Sequence, residues 1–206
     1  FERILRCGRR TGGAAVLLQA RGVFEAPELT LTEPEAATGR RAARVAIALG
    51  AALAAAELGD LALAARLARS GLGDDSELDE AEQALRRLVE GLARAWDRGE
   101  PAAMATRPTP TGLPPLLTAR SELISLAAAI EAELDKAADA RLETLQSLRD
   151  ELDDHQRLEL DELAARTELL RRRLGATSET VSPRGELARI VNAARGLGDM
   201  VLAARA

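Results

Sequence analysis

Residues 121–175 read SELISLAAAIEAELDKAADARLETLQSLRDELDDHQRLELDELAARTELLRRRLG, and the fold turns on how this stretch is read. One track of positions runs Leu123, Ala127, Ile130, Leu134, Ala138, Leu142, Leu145, Leu148, Leu152, Gln156, Leu160, Leu163, Thr167, Leu170 and Leu174. Steps of three and four place these side chains on one stripe of an α-helix, and no proline interrupts them. The spacing therefore predicts a single helix of about 50 residues, which at 1.5 Å per residue would be about 80 Å long. The fourteen steps from Leu123 to Leu174 average about 3.64 residues, with four-residue steps clustered at Leu134 to Leu142 and at Leu152 to Leu160. That value lies nearer an eleven-residue than a seven-residue repeat, which implies a nearly straight rod and not a left-handed supercoil.

Such a stripe is longer than a chain of this size can cover, so it points to helix pairing with another chain. The packing surface is assigned to Leu134, Leu142, Leu145, Leu148, Leu152, Leu160, Leu163 and Leu170. Beside it Glu131, Asp135, Asp139 and Glu143 follow one another at i, i+4, where like charges repel by a few tenths of a kcal/mol per pair. These four make a solvated acidic face or one that meets an arginine-rich surface. Further along, Asp153 with Arg157, Glu162 with Arg166 and Glu168 with Arg172 are spaced as ion pairs. The helix closes with Arg171, Arg172 and Arg173 in its last turn and Gly175 beyond, which suits the helix dipole and a left-handed cap.

Outward from this stretch, the segment EPAAMATRPTPTGLPP, residues 100–115, holds five of the eight prolines and reads as a helix-free strap between domains. Before it, residues 33–99 read as a bundle of short helices. Thr32, Pro34 and Glu35 mark a helix start, Leu61 to Arg69 form a short helix ended near Gly71, and Leu78 to Gly99 carry an alternating apolar seam. Residues 1–32 contain two strand-like runs, Ala14 to Ala20 and Glu28 to Thr32, set apart by Gly22 and Pro27. After residue 175, Ser182 and Pro183 open a last helix, whose second half is weakened by Gly196 and Gly198. The expected domains are residues 1–32, 33–99, 100–117 and 118–206. The fold class is mainly α: a helical bundle with one long helix and a small N-terminal β element.

Composition agrees with helices. In 206 residues there are two Phe, one Trp and no Tyr, while Ala and Leu lead the helix scale. A net charge of −5 argues against the whole chain as a nucleic-acid binder, since phosphate contacts dominate that affinity. Locally, Arg3, Arg6, Arg9 and Arg10 surround a glycine-rich turn able to meet an anion or a nucleic-acid backbone. That turn, CGRRTGGA, lacks the Gly-Lys-Ser/Thr ending of a phosphate loop. The lone Cys7 excludes an intramolecular disulfide and fits a cytoplasmic setting. Arg40, Arg41 and Arg44 before VAIALGAALAAA resemble a secretory signal in pattern, but Glu57 and Asp60 cut the apolar run short of the ~20 residues a span needs. No membrane span is expected.

Catalytic chemistry has no constellation to rest on. Around the single histidine, RDELDDHQ sets Glu151 and His155 at i, i+4 with Asp154 between, yet the Glu-x-x-His spacing of a di-metal bundle is absent. No catalytic residue, metal ligand or cofactor is assigned. The expected role is non-enzymatic: a scaffold or inter-subunit interaction protein whose partner is a protein or a second copy, engaged through helices. The alternative is an accessory or regulatory region of a nucleotide-driven machine, such as a helicase or SMC-like ATPase, with its motor motifs elsewhere. A chain that starts on Phe1 reads as a fragment, a processed product or part of a longer polypeptide, which suits that alternative.

Overall fold

Side chains four apart on one face of Glu80–Arg98 are buried: Ala84, Leu88 and Leu92, followed by Ala95 and Trp96. Against them lies Leu61–Ser70, which offers Ala64, Ala65, Leu67 and Ala68. The first of these helices in chain order is α1 (Leu61–Ser70) and the second α2 (Glu80–Arg98). Alanines on α1 let the two backbones approach closely, and the larger Leu88, Val89 and Trp96 fill the space. Arg69 and Asp97 add an ion pair across the exposed ends. Gly99 stops α2 in the left-handed region at φ 62, where a side chain would be strained.

The computed structural model describes residues 52, 55, 56, 61–70, 80–113, 115–175 and 182–206. The chain divides into two units, Phe1–Gly99 and Glu100–Ala206. Among the described residues the protein is all helical. The strand-like runs of residues 1–32, and Arg3, Arg6, Arg9 and Arg10, lie outside the described residues.

The second unit holds α3 (Pro101–Ala105), α4 (Pro115–Glu131), α5 (Asp135–Ser147), α6 (Asp154–Arg173), α7 (Pro183–Leu197) and α8 (Met200–Arg205), with a 3-10 turn at Arg149–Glu151 between α5 and α6. The strap is thus not wholly helix-free: Pro101 sits where its missing N–H costs nothing, and Pro101–Ala105 makes one turn and a half.

The single long helix is corrected by two chain reversals. At the first, Glu133 N donates to Ile130 O at 3.1 Å and Leu134 N to Ala129 O at 2.9 Å, the hydrogen-bond pair of a Schellman cap. Glu133 occupies the left-handed position with φ 56, a place glycine usually takes. At the second, the chain leaves α5 at Leu148, passes the 3-10 turn, becomes extended at Leu152 and re-enters a helix under a capping box. Asp153 Oδ1 accepts from His155 N and Gln156 N, each at 3.0 Å, and Gln156 Oε1 faces Asp153 N at 3.5 Å. Both four-residue phase shifts of the apolar track coincide with these reversals. Helices of 13 to 20 residues replace the expected rod, and the coiled-coil reading of this stretch goes with it.

Folding back changes what the stripe covers. Leu142, Leu145, Leu152, Leu160 and Leu163 join Leu123, Leu126 and Ile130 in one core between α4, α5 and α6, with Leu134 packed on its edge. Leu170 is buried and Leu148 half-buried. Six of the eight leucines assigned to a partner helix, Leu134, Leu142, Leu145, Leu152, Leu160 and Leu163, pack in the chain's own core. α4 is the centre of this unit: Ala119 through Leu123 are all buried, so it is enclosed on every side along that turn. A smaller apolar cluster of Leu158, Ile190, Ala194 and Leu202 joins α7 and α8 to the opposite side of α6.

Candidate functional site: a buried network of ion pairs

An enclosed central helix that carries Arg120 and Glu122 must satisfy both charges internally. The two are two residues apart, about 200° around the helix axis, so they point to opposite sides. Glu122 meets α5. Arg141 Nη1 lies 3.0 and 2.9 Å from its two oxygens, a fork on one carboxylate. Thr109 Oγ1 donates to Glu122 Oε1 at 2.5 Å, and Arg141 Nη2 donates to Ala105 O at 3.2 Å and to Arg107 O. One guanidinium thereby fastens the strap to two helices.

Arg120 meets α6. Its Nη1 lies 2.6 Å from Glu159 Oε2, with both side chains nearly sealed from water at 3% and 5% exposure. Arg205 of α8 approaches the other oxygen of Glu159 at 3.2 Å and Glu162 Oε2 at 3.0 Å. Glu162, fully buried, also faces Arg166 at 3.2 Å through Oε1. Its Oε2 makes no hydrogen bond, so the contact with Arg205 is electrostatic but off hydrogen-bond geometry. Taking such charges out of water costs several kcal/mol each, and it is repaid only where partners sit close and well aimed. The chain Arg120–Glu159–Arg205–Glu162–Arg166 alternates sign throughout.

Polar side chains on the apolar track have local explanations. Gln156, fully buried, uses Nε2 to reach Leu116 O at 3.1 Å while its oxygen serves the cap of α6. Thr167 turns its hydroxyl back to Leu163 O at 2.8 Å. His155 is buried, with Nδ1 3.5 Å from Asp199 Oδ2, and Asp199 Oδ1 caps α8 by accepting from Leu202 N at 2.9 Å. Glu151 and Asp154, by contrast, are exposed. The three are not brought together, and among the described residues no group of three or more His, Cys, Asp or Glu is placed to hold a metal ion.

The four carboxylates of the acidic face are all exposed. Asp139 receives Arg171 of α6 at 2.6 Å, and Glu133 nearby receives Arg173 at 2.8 Å. Arginines at the C-terminal end of α6 therefore meet part of the acidic run at the start of α5. Of the spaced pairs, Glu162–Arg166 and Glu168–Arg172 form, the latter at 3.0 Å. Asp153 caps α6, and Arg157 approaches Asp154 at 3.6 Å and donates to Arg149 O at 3.2 Å. Glu186 on the exposed side of α7 is held below its ordinary 4.5 by hydrogen bonds from Arg189, which is raised in turn.

Sequence reasoning missed Arg120, Glu122, Arg141, Glu159 and Arg205. Its one available signal was the run Leu158-Glu159-Leu160-Asp161-Glu162-Leu163, where acidic residues are hemmed in by leucines on a helix. Among the described residues no helix is long and apolar enough to cross a membrane. Comparison with protein-family models, with curated proteins and with solved structures finds no match.

Proposed function

We propose that this chain is a non-enzymatic helical interaction module that meets a basic protein surface through exposed carboxylates at the end of α4 and on α5. One observation carries the reading. Among the described residues of the second unit each buried carboxylate, Glu122, Glu159, Glu162 and Asp199, faces a cation or imidazole of the chain itself. A catalytic carboxylate must remain open to substrate, whereas these hold helices in register. Carboxylates available to another molecule include the exposed Glu131, Asp135 and Glu143. Glu131 ends α4, and Asp135 and Glu143 are exposed on α5, which Ala138, Leu142 and Leu145 anchor to the core. The apolar stripe is consumed by the bundle, which moves the interaction from leucines to charge.

Fluorescence anisotropy with a labelled arginine-rich peptide tests this on the full chain, in low salt and in high salt. The variant Glu131→Gln/Asp135→Asn/Glu143→Gln should weaken binding about tenfold or more, as expected for lost complementary charges. A control with the same change in net charge, Glu80→Gln/Asp150→Asn/Glu151→Gln, should lose much less. Equal losses would reduce the effect to net charge and defeat the proposal, as would a chain that binds no basic probe and sediments as a monomer at micromolar concentration.

A further inference from the structure

We infer that the C-terminal hairpin, α7 with α8, is a detachable clasp that lifts from α6 while the α4–α5–α6 bundle stays folded. The hairpin packs on Leu158 of α6 through a small apolar cluster separate from the main core. Polar contacts also tie it to the bundle: Arg205 with Glu159 and Glu162, Arg189 with Asp161 at 3.2 Å, and Asp199 with His155. Each bundle carboxylate in this set has a second cation that does not belong to the hairpin. Glu159 has Arg120, Glu162 has Arg166, and Asp161 has Arg149 at 2.9 Å.

That duplication decides the energetics of opening. Breaking a buried ion pair is costly when it strands a charge in a low-dielectric interior. Here lifting the hairpin admits water to Glu159 and Glu162 and leaves each with a guanidinium. Arg205 itself returns to solvent, and Asp199 keeps its cap on Leu202 N within the departing hairpin. His155 is parted from Asp199 at the moment when water reaches it. The closed state is thus held by a few apolar side chains, and the charges do not oppose release. A region joined by few buried apolar contacts is the kind that opens below the free energy of global unfolding. The face uncovered on α6 carries Leu158 flanked by Glu159, Asp161 and Glu162.

Native-state hydrogen exchange on the full chain tests the clasp, read by mass spectrometry at several low denaturant concentrations. Amides of Glu186–Leu197 should exchange at least roughly tenfold faster than those of Leu123–Ile130 and Leu160–Leu170, with a shallower denaturant dependence. Arg205→Ala should accelerate the hairpin further and leave the bundle amides unmoved. Should that variant unfold globally, the wild-type pattern still decides. Hairpin and bundle amides that share one rate and one denaturant slope would overturn the inference, as would an Arg205→Ala effect spread equally over both.

Discussion

Replacement of Arg120 by Met removes the cation beside Glu159 and keeps most of the side-chain volume. Both members are almost fully buried, with 2.6 Å between nitrogen and oxygen. Removing one partner of such a pair costs about 3–5 kcal/mol, because the survivor remains desolvated. Arg205 still stands 3.2 Å from the other carboxylate oxygen, which places the loss near the lower limit, about 3 kcal/mol. Urea unfolding followed by far-UV circular dichroism reads it directly. With a slope of about 2 kcal/mol per molar, the midpoint should fall by about 1.5 M. Glu159→Met should behave similarly, whereas the double variant should be less damaged than the two losses summed, by about 2 kcal/mol, since it leaves no stranded carboxylate. A midpoint change below about 0.3 M for Arg120→Met, or strict additivity in the cycle, would refute the claim that this pair is buried and coupled.

Three other outcomes follow from the same geometry. Leu145→Asp, at a position with no exposed surface, should unfold the bundle or cost more than about 4 kcal/mol, while Asp139→Asn, half of an exposed pair with Arg171, should change stability by less than about 0.5 kcal/mol; thermal melts of the two separate the inner from the outer face of α5. Glu133→Gly should be neutral or stabilising by up to about 1 kcal/mol in a chemical melt, because it relieves a left-handed residue that bears a side chain, whereas a marked loss would mean the exposed Arg173 pair outweighs the backbone. Glu186 should titrate by NMR below its ordinary 4.5, and because a depressed carboxylate contributes stability above its unfolded value, that small contribution should disappear as pH falls through the folded value.

Much of the helical content was legible because period and punctuation agreed. Gly99, Gly175 and Pro183 stand where helices end or begin, and the stripe named side chains that are buried. The reversals were hidden for separate reasons. At Glu133 the chain uses a left-handed residue that is neither Gly nor Asn, so no breaker marks the turn. At Asp153 the capping box D-x-x-Q was present, but it lay inside an unbroken apolar period and read as a polar gap at Gln156. Local period alone does not distinguish a straight stripe on one helix from two stripes that face each other after a turn. The ion-pair network was less accessible still. Arg120 and Glu159 are 39 residues apart, and Glu159 and Arg205 are 46 apart, so nothing local ties them. The pairs Glu162–Arg166 and Glu168–Arg172 were readable, since each depends on a single helix, whereas the acidic run is parted by the reversal, with Glu131 ending α4 and Asp135, Asp139 and Glu143 exposed on α5.

The fold-back of residues 121–175 underlies the buried network, the acidic outer face and the clasp alike. Double electron–electron resonance between spin labels at positions 131 and 174, both exposed, measures it in one distance, with Cys7 replaced by Ser. A continuous helix separates these sites by about 65 Å at 1.5 Å per residue. The two reversals set Glu133 and Arg173 within 2.8 Å of one another, so the label distance should be less than half the rod value. A narrow distribution near the rod length would contradict the account.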